Sequence, residues 1–316
     1  MNMKGVPLNV DAILAGAVDV PEHHRSGIVA IAGRPNVGKS TLTNHLVGAK
    51  VAIVTPVPGT TRNAIRGVVT RPDSQLVLLD TPGLAKPRTL LARRLNDLVR
   101  GSWAGVDAIC FVVDVADGIG TGDEFLANEL RSTGTPIVVA ANKVDRVAQK
   151  DMLLPAIDTL AGLVPGADVV PISARTGDNV ERLLDVLVGL VPEGPRLFGD
   201  DVVTDQSMDL LCAEILREKL IAGMRDELPH AIAVEIESID ETEQEDLVDV
   251  HAVIHVERDS QKGIVIGKGG ANLKSAGSRA RPELEAILGA RVNLQTRVKV
   301  APRWQQDPRR LERFGY

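Results

Sequence analysis

Eight consecutive residues, Gly33-Arg34-Pro35-Asn36-Val37-Gly38-Lys39-Ser40, carry the GxxxxGK[ST] spacing of a loop that wraps phosphate groups. Backbone N–H groups from about Asn36 to Ser40 turn inward on a β-phosphate, and the positive end of the following helix reinforces them. Lys39 neutralises the β- and γ-phosphates, and the Ser40 hydroxyl is a ligand for Mg2+. Gly33, Val37, Gly38 and Thr41 complete the set expected against the nucleotide. Downstream, Asp80-Thr81-Pro82-Gly83 follows the apolar stretch Leu76 to Leu79. Asp80 is placed to hold Mg2+ through water, and the Gly83 N–H to reach the γ-phosphate, because no side chain blocks its approach. Alone, this tetrapeptide is as readily an ordinary turn; behind a phosphate loop it reads as a γ-phosphate sensor.

Asn142-Lys143-Val144-Asp145 ends another apolar run. The Asp145 carboxylate accepts two hydrogen bonds from guanine, at N1–H and the 2-amino group; adenine has a donor at neither position and would leave the carboxylate unpaired. The expected nucleotide is therefore GTP or GDP rather than ATP. Lys143 covers the base with its alkyl stem, and Ser173-Ala174 adds a backbone N–H. Between the phosphate loop and Asp80, the stretch Pro58-Gly59-Thr60-Thr61-Arg62 should supply a threonine that ligates Mg2+ when the γ-phosphate is present.

A second chemistry sits near the end of the chain. Gly267-Lys268-Gly269-Gly270 is a GxxG turn, which brings backbone close to a sugar-phosphate chain with no side chain in the way. GxxG is weak by itself. Here the apolar run Ile264 to Ile266 precedes it, and a helical pattern with Leu273, Ala276, Ala280, Leu284 and Leu288 on one face follows. Lys262, Lys268, Lys274 and Arg279 bring positive charge, as does Arg281. The candidate RNA contacts are Lys262, Ile264, Ile266, Gly267, Lys268, Gly269, Gly270, Lys274 and Arg279, for about four unpaired nucleotides. Ile264 and Ile266 flank the groove; the leucine stripe is core. His251 and His255 lie on an alternating strand and are not a metal pair, and packing is the expected role of Trp304.

These residues need a scaffold. Residues 27–190 alternate apolar strands (Ile28 to Ala32, Leu76 to Leu79, Ala108 to Val115, Ile137 to Ala141, Asp168 to Ile172) with helical patterns such as Ser40 to Val47 and Leu90 to Arg100, which predicts a mostly parallel α/β sheet covered on both faces. Val191-Pro192-Glu193-Gly194-Pro195 breaks the pattern and opens a linker over 191–204. Residues 205–302 then read as helix (Met208 to Leu220), strand, strand, glycine turn, a helical stretch from Ala271 to Leu288 that Pro282 kinks or splits, and a strand from Val292 to Val300: a smaller α+β unit. Residues 303–316 form a basic tail. Residues 1–26 read as a flexible arm, with His23 to Ser26 as its exposed end and no secretory signal.

Composition agrees with this layout. At 316 residues, 44% hydrophobic and 25% charged, the chain is long enough for two globular domains. No apolar run reaches the roughly 18 residues a membrane helix needs. The two cysteines form no CxxC pair, so neither zinc nor a disulfide framework is indicated, which fits a reducing compartment, with Cys110 a small buried hydrophobe. The net charge of −6 hides a reversal: residues 203–260 carry 4 basic and 16 acidic side chains, and residues 261–316 carry 12 basic and 4 acidic, which points to a polyanion-binding face, although a charge run standing alone reads by default as a solvated surface.

The nucleotide elements, in this order, resemble the translation-factor-related class of small GTPases. With a single such domain, a Pro/Gly linker and a KH domain after it, the chain resembles the Era family of ribosome-assembly GTPases over residues 27–316. The run Asp80 to Arg88, Glu227-Leu228-Pro229-His230, and Ser260 to Gly270 carry the likeness. The resemblance implies a type II KH domain and favours Thr61 over Thr60 as the switch threonine, making Ser40, Thr61 and Asp80 the Mg2+ set and Lys39, Thr61 and Gly83 the catalytic one. Leu84 stands where Ras-like relatives have a water-orienting glutamine, so slow intrinsic turnover is expected; resemblance offers K+ held partly by Asn36 as the missing charge, against a plain loop asparagine. By the same resemblance the partners are the 3′ end of small-subunit ribosomal RNA and the small subunit itself, met by a cytoplasmic monomer with at most peripheral contact to the inner membrane face. A nucleotide-sensing RNA-binding module with negligible turnover and a membrane-associated signalling GTPase are the competing readings. Ala85 and Thr296-Arg297 depart from the family's usual residues.

Overall fold

Ile28 to Ala32 is apolar on both faces, as a central strand of a covered parallel sheet must be, and it forms the buried end of β1 (Arg25–Ala32). The computed structural model describes residues 21, 23–84, 89–103, 105–148, 150–224 and 227–316. Most of the amino-terminal arm (residues 1–20) and the Ala85 position lie outside the described residues. The chain forms two compact units, one from residues up to Ala52, from Thr61 onward, and from Leu95 to Asp205, the other from Ile53–Thr60, the start of the helix at Leu90, and Gln206–Tyr316.

In the first unit, β1 is followed by α1 (Lys39–Val47), β2 (Ile65–Thr70), β3 (Ser74–Asp80), α2 (Leu90–Trp103, of which 95–103 belong here), β4 (Ala108–Asp114), α3 (Thr121–Arg131), β5 (Ile137–Asn142), α4 (Leu153–Leu163), β6 (Val169–Pro171) and α5 (Val180–Leu190). The strand order is β2-β3-β1-β4-β5-β6, parallel throughout except β2, which runs antiparallel to β3. Side chains of β1 alternate between two cores: Val29 and Ile31 meet Leu42 of α1 and Leu183 and Leu187 of α5, while Ala30 and Ala32 meet Trp103, Leu126, Leu130 and Leu160 on the other face. Register then sets the site. Ile31 pairs with Asp80 and Asp114 with Asn142, so the polar ends of β3, β4 and β5 gather where β1 runs into the phosphate loop. β1 is the strand from which the order runs outward both ways, the switch point at which open α/β sheets bind ligands.

The second unit comprises α6 (Met208–Ile221), the single-turn α7 (Leu228–Ala231), β7 (Ala233–Glu241), β8 (Leu247–Val256), α8 (Asp259–Ile266), α9 (Ala271–Leu288), β9 (Arg291–Val300) and α10 (Pro308–Arg313). Its sheet is β7-β8-β9, with β7 antiparallel and β9 parallel to β8. The chain is thus an α/β domain with a mostly parallel sheet, followed by a smaller α+β domain.

Several sequence expectations need correction. Residues 24–26 are not an exposed arm: His24 and Ser26 are buried, His24 Nδ1 bonds the Gly194 carbonyl at 2.8 Å, and Ser26 Oγ donates to the Pro195 carbonyl at 2.6 Å. The stretch 191–204 is therefore no free linker; Gln75 accepts from the Leu197 and Phe198 N–H groups, and Val68 N donates to the Val203 carbonyl. Pro282 does not split its helix. One helix runs through it, anchored by the buried Ala276, Ala280 and Leu284, and forgoes only the single N–H that proline lacks. A helix, α8, stands before the glycine turn where only an apolar run was read, started by Gln261 Oε1 accepting from the Glu257 and Arg258 N–H groups. The basic tail folds back through α10, with Trp304, Leu311 and Phe314 buried. Packing is indeed the role of Trp304, whose Nε1 donates to the Ala231 carbonyl at 2.9 Å.

Candidate nucleotide and RNA sites

The phosphate loop closes around its own lysine. Lys39 is buried at the start of α1, and its Nζ donates to the Gly33 and Arg34 carbonyls at 3.0 and 2.9 Å. Burial pulls its pKa down to about 8 against the opposing pull of Asp80. A Cβ on Gly38 would lie 2.4 Å from Asn142 Nδ2, so that position admits no side chain. Asn142 ties two parts of the site together. Its Nδ2 donates to the Val37 carbonyl at 2.8 Å, and its Oδ1 accepts from Ala174 N at 2.9 Å, locking the phosphate loop to the Ser173-Ala174 turn.

Three oxygen-bearing side chains converge beside Lys39. The Thr61 hydroxyl lies 3.1 Å from the Ser40 hydroxyl, whereas Thr60 turns into its own loop and donates to the Val57 carbonyl at 2.6 Å. Asp80 is completely buried, and neither carboxylate oxygen has a hydrogen bond of good geometry among the described residues. Burial, partly offset by Lys39 and the neighbouring Ser40 hydroxyl, raises its pKa to about 6. A buried carboxylate with both oxygens unsatisfied, next to two hydroxyls, is a set of hard oxygen donors that fits Mg2+. Gly83 follows at van der Waals limits: a Cβ there would meet the Pro35 nitrogen at 2.7 Å. Leu84 joins the apolar cluster around Trp103 and Phe111 and offers water no polar group.

At the base end, Ser173 Oγ donates to Asp145 Oδ1 at 2.6 Å, and Arg175 Nε and Nη2 donate to Oδ2 at 3.1 and 2.6 Å. The Ser173 hydrogen bond, with help from Arg175, holds the Asp145 carboxyl below its usual range, so it is an acceptor at any physiological pH. Lys143 adopts φ 68°, and its ammonium donates to the Asn36 carbonyl at 2.7 Å and pairs with Asp114 at 2.5 Å. Asp114, which sequence reasoning missed, is buried at the C-terminal end of β4, a place where α/β sheets keep functional groups. Arg175, one residue past the Ser-Ala pair, was missed too.

In the second unit β8 leads into α8, then into the turn 267–270 and α9. Asn272 Nδ2 donates to the Ile264 carbonyl at 2.8 Å and so closes the end of α8 over the turn. Lys268, Lys274 and Ile264 are exposed around it, Lys262 is half-buried, and Ile266 packs on the core. Arg279 is exposed yet engaged: Nη2 donates to the Lys219 carbonyl in the last turn of α6 at 2.7 Å. The structure thus gathers Ile264, Gly267, Lys268, Gly269, Gly270 and Lys274 at one end of α9 and draws Arg279 toward α6.

Comparison with known proteins agrees with both halves. A family model described as 50S ribosome-binding GTPase matches residues 28–143, and one described as KH domain matches residues 227–305. The chain is 50% identical over 295 residues to GTPase Era of Mycobacterium tuberculosis (strain ATCC 25618 / H37Rv), covering 92% of this chain and 98% of that protein. It is 49% identical over 296 residues to GTPase Era of Mycobacterium avium (strain 104), covering 92% and 99%. Among solved structures, Era in complex with MgGDPNP and nucleotides 1506–1542 of 16S ribosomal RNA is similar with a TM-score of 0.90 at 40% identity, over 93% of this chain and 99% of that one. A point variant of Aquifex aeolicus Era bound to GDP.AlF4- gives 0.89 at 40% identity, over 92% and 99%.

Proposed function

The chain belongs to the Era family of GTPases, and from that membership we propose that it is a GTP-hydrolysing switch that grips the 3′ end of small-subunit ribosomal RNA during small-subunit assembly. The observation that carries this reading is that the likeness to the relative holding MgGDPNP and 16S ribosomal RNA covers both domains.

In the proposed reaction, Asp145 and the Ala174 turn fix the guanine, and the N–H groups of the phosphate loop and Lys39 hold the β- and γ-phosphates. Ser40, Thr61 and Asp80 are the residues that would hold Mg2+, which neutralises charge on the phosphate oxygens when bound. Water attacks the γ-phosphorus in line as the bond to the β–γ bridging oxygen breaks, giving GDP and phosphate; the Gly83 N–H steadies the γ-phosphate. Leu84 contributes no hydrogen bond to that water, so the intrinsic rate is slow. K+ beside the exposed loop residue Asn36 is the proposed source of the extra positive charge. Loss of the γ-phosphate frees Thr61 and Gly83, and nucleotide state thereby changes the hold on RNA. The exposed end of α8 and the glycine turn form the RNA clamp, with Lys268 and Lys274 against phosphates.

Leu84 also supports a second reading, a nucleotide-sensing RNA-binding module with negligible turnover. We place the chain in the cytoplasm; the acidic stretch from Glu235 to Asp249 disfavours binding to an anionic lipid surface.

Single-turnover hydrolysis of GTP in K+ and in Na+, with and without a short RNA matching the 3′ end of small-subunit ribosomal RNA, separates the readings. Acceleration by K+ and by that RNA, but not by a scrambled one, is the expected result. Turnover that stays negligible under every condition overturns the switch and leaves the binding module.

A further inference from the structure

Helix α6 is buried on nearly every side, and three of its buried residues are charged: Glu214, Arg217 and Glu218. A guanidinium in the interior must be paired to offset its lost hydration. Glu214 does this in a fork, with Arg217 Nε on Oε1 at 2.7 Å and Nη2 on Oε2 at 2.5 Å. The same Nη2 also donates to the backbone carbonyl of Thr60 at 2.5 Å. One residue on, Glu218 Oε2 accepts from Val54 N at 3.2 Å. Two neighbouring side chains of α6 therefore grip both ends of residues 54–60, which fold with this unit. The loop is closed internally as well, by the Thr55 and Thr60 hydroxyls at 2.5 Å.

The Thr60 carbonyl shares a rigid peptide plane with the nitrogen and Cα of Thr61. Clamping that carbonyl fixes where Thr61 begins, and the Thr61 hydroxyl stands 3.1 Å from Ser40. The same end of α6 is tied to the helix of the glycine turn: Arg279 donates to the Lys219 carbonyl, and Lys219 bridges Glu218 and Glu283. Arg217 Nη1 has no hydrogen-bond partner among the described residues, which a pairing kept for stability alone does not explain.

We propose that Arg217 is a positioning residue for GTP hydrolysis: through the Thr60 carbonyl it places Thr61 for the Mg2+-bound GTP state, and α9 biases that grip when RNA occupies the glycine turn. The proposal rests on the GTPase reading above. Thr61 serves only the γ-phosphate state, so releasing it leaves GDP binding intact.

The test uses full-length Arg217→Lys, whose ammonium cannot reproduce the fork and the carbonyl bond together, and Glu218→Ala, which frees Val54 N should the first variant fail to fold. Affinity for fluorescent GDP should stay within about twofold of wild type. The Mg2+ concentration for half-maximal binding of a non-hydrolysable GTP analogue should rise about tenfold, the scale of one charge-assisted hydrogen bond. Amide exchange at 54–61 should quicken, single-turnover hydrolysis should slow, and acceleration by RNA should disappear. A folded variant with wild-type Mg2+ dependence and RNA response overturns the proposal. A wild-type protein that binds no GTP overturns the GTPase reading instead, a result visible before any variant is compared.

Discussion

The hydroxyl of Thr61 lies 3.1 Å from that of Ser40, although one belongs to a loop and the other opens α1 behind the phosphates. The two differ in when they matter. Ser40 is fixed by the helix, and in the proposed mechanism it would meet the metal whichever nucleotide is bound. Thr61 comes from a loop, and in the proposed mechanism its contribution is confined to the γ-phosphate state.

From this asymmetry, Ser40→Ala should weaken Mg2+-dependent binding of both GDP and GTP, whereas Thr61→Ala should spare GDP and slow hydrolysis by about a hundredfold, the scale of losing one oriented transition-state contact. Titration calorimetry with each nucleotide and a single-turnover assay measure the two effects. Equal losses of GDP affinity in both variants would contradict the division of labour.

Asp145 makes a specificity prediction. Its carboxylate is held by Ser173 and Arg175, and in the proposed reading it is the acceptor that meets the guanine. Asp145→Asn replaces one acceptor with an N–H donor, which clashes with the 2-amino group of guanine but matches the 2-oxo group of xanthine. Affinity for GDP should fall by about a hundredfold or more, as one buried pairing is lost and a second becomes repulsive, and xanthosine diphosphate should bind better than GDP. A variant that still prefers GDP would move base recognition away from Asp145.

What could be read from the chain alone follows from how far apart the partners lie. The phosphate loop, Asp80-Thr81-Pro82-Gly83 and Asn142 to Asp145 are contiguous motifs whose residue types are dictated by phosphate and guanine, so residue types and order were enough. Asp114 and Arg217 were not legible in that way. Asp114 closes the reading of apolar strand β4, and nothing local shows that register sets it beside Asn142. Glu214 and Arg217 look like a solvated helix pair at spacing i, i+3; only their burial and a carbonyl 157 residues away show otherwise. Strand β2 was missed because it is the antiparallel edge strand, with exposed Arg66 breaking its apolar run. Helix α8 was missed because Gly263 sits in its middle and its start relies on the Gln261 side chain rather than on a favoured cap.

His255 ties acid stability to the second unit. Its ring lies against Phe314 at 4.3 Å, its Nε2 meets Glu235 at 2.8 Å, and Arg313 meets the same carboxylate at 2.8 Å. Burial lowers its pKa below the ordinary 6.5, with Glu235 opposing. The unfolded chain therefore takes up the proton first. The stability this provides is whole above about pH 6.5 and is lost as the pH falls through the lower folded-state value. Urea midpoints followed by Trp304 fluorescence in a Trp103→Phe background should drop between about pH 7.5 and 5, and His255→Gln should flatten that drop. Identical slopes with and without the histidine would reject the linkage.

The glycine turn separates folding from RNA binding. Gly267 has φ 75° and ψ 172°, a region closed to other residues, and a Cβ there would lie 2.7 Å from the Asn272 side chain that closes α8. Gly267→Ala should therefore reduce stability, by about 1–3 kcal/mol, as well as RNA affinity. Gly269 is different: it has φ 60° and ψ 24°, and an added Cβ meets nothing within 4 Å. Gly269→Ala carries only the left-handed penalty of roughly 1–2 kcal/mol. The methyl group then stands on the open face of the turn, where a sugar-phosphate backbone must come close. A folded Gly269→Ala protein should lose about tenfold in affinity for single-stranded RNA, equivalent to about 1.4 kcal/mol. Lys268→Ala should instead lower the salt dependence of binding by close to one phosphate contact. Fluorescence anisotropy with a labelled RNA at several salt concentrations reads both. Wild-type affinity in a well-folded Gly269→Ala protein would mean that the nucleic acid approaches some other face, and α9 would then have no part in sensing it.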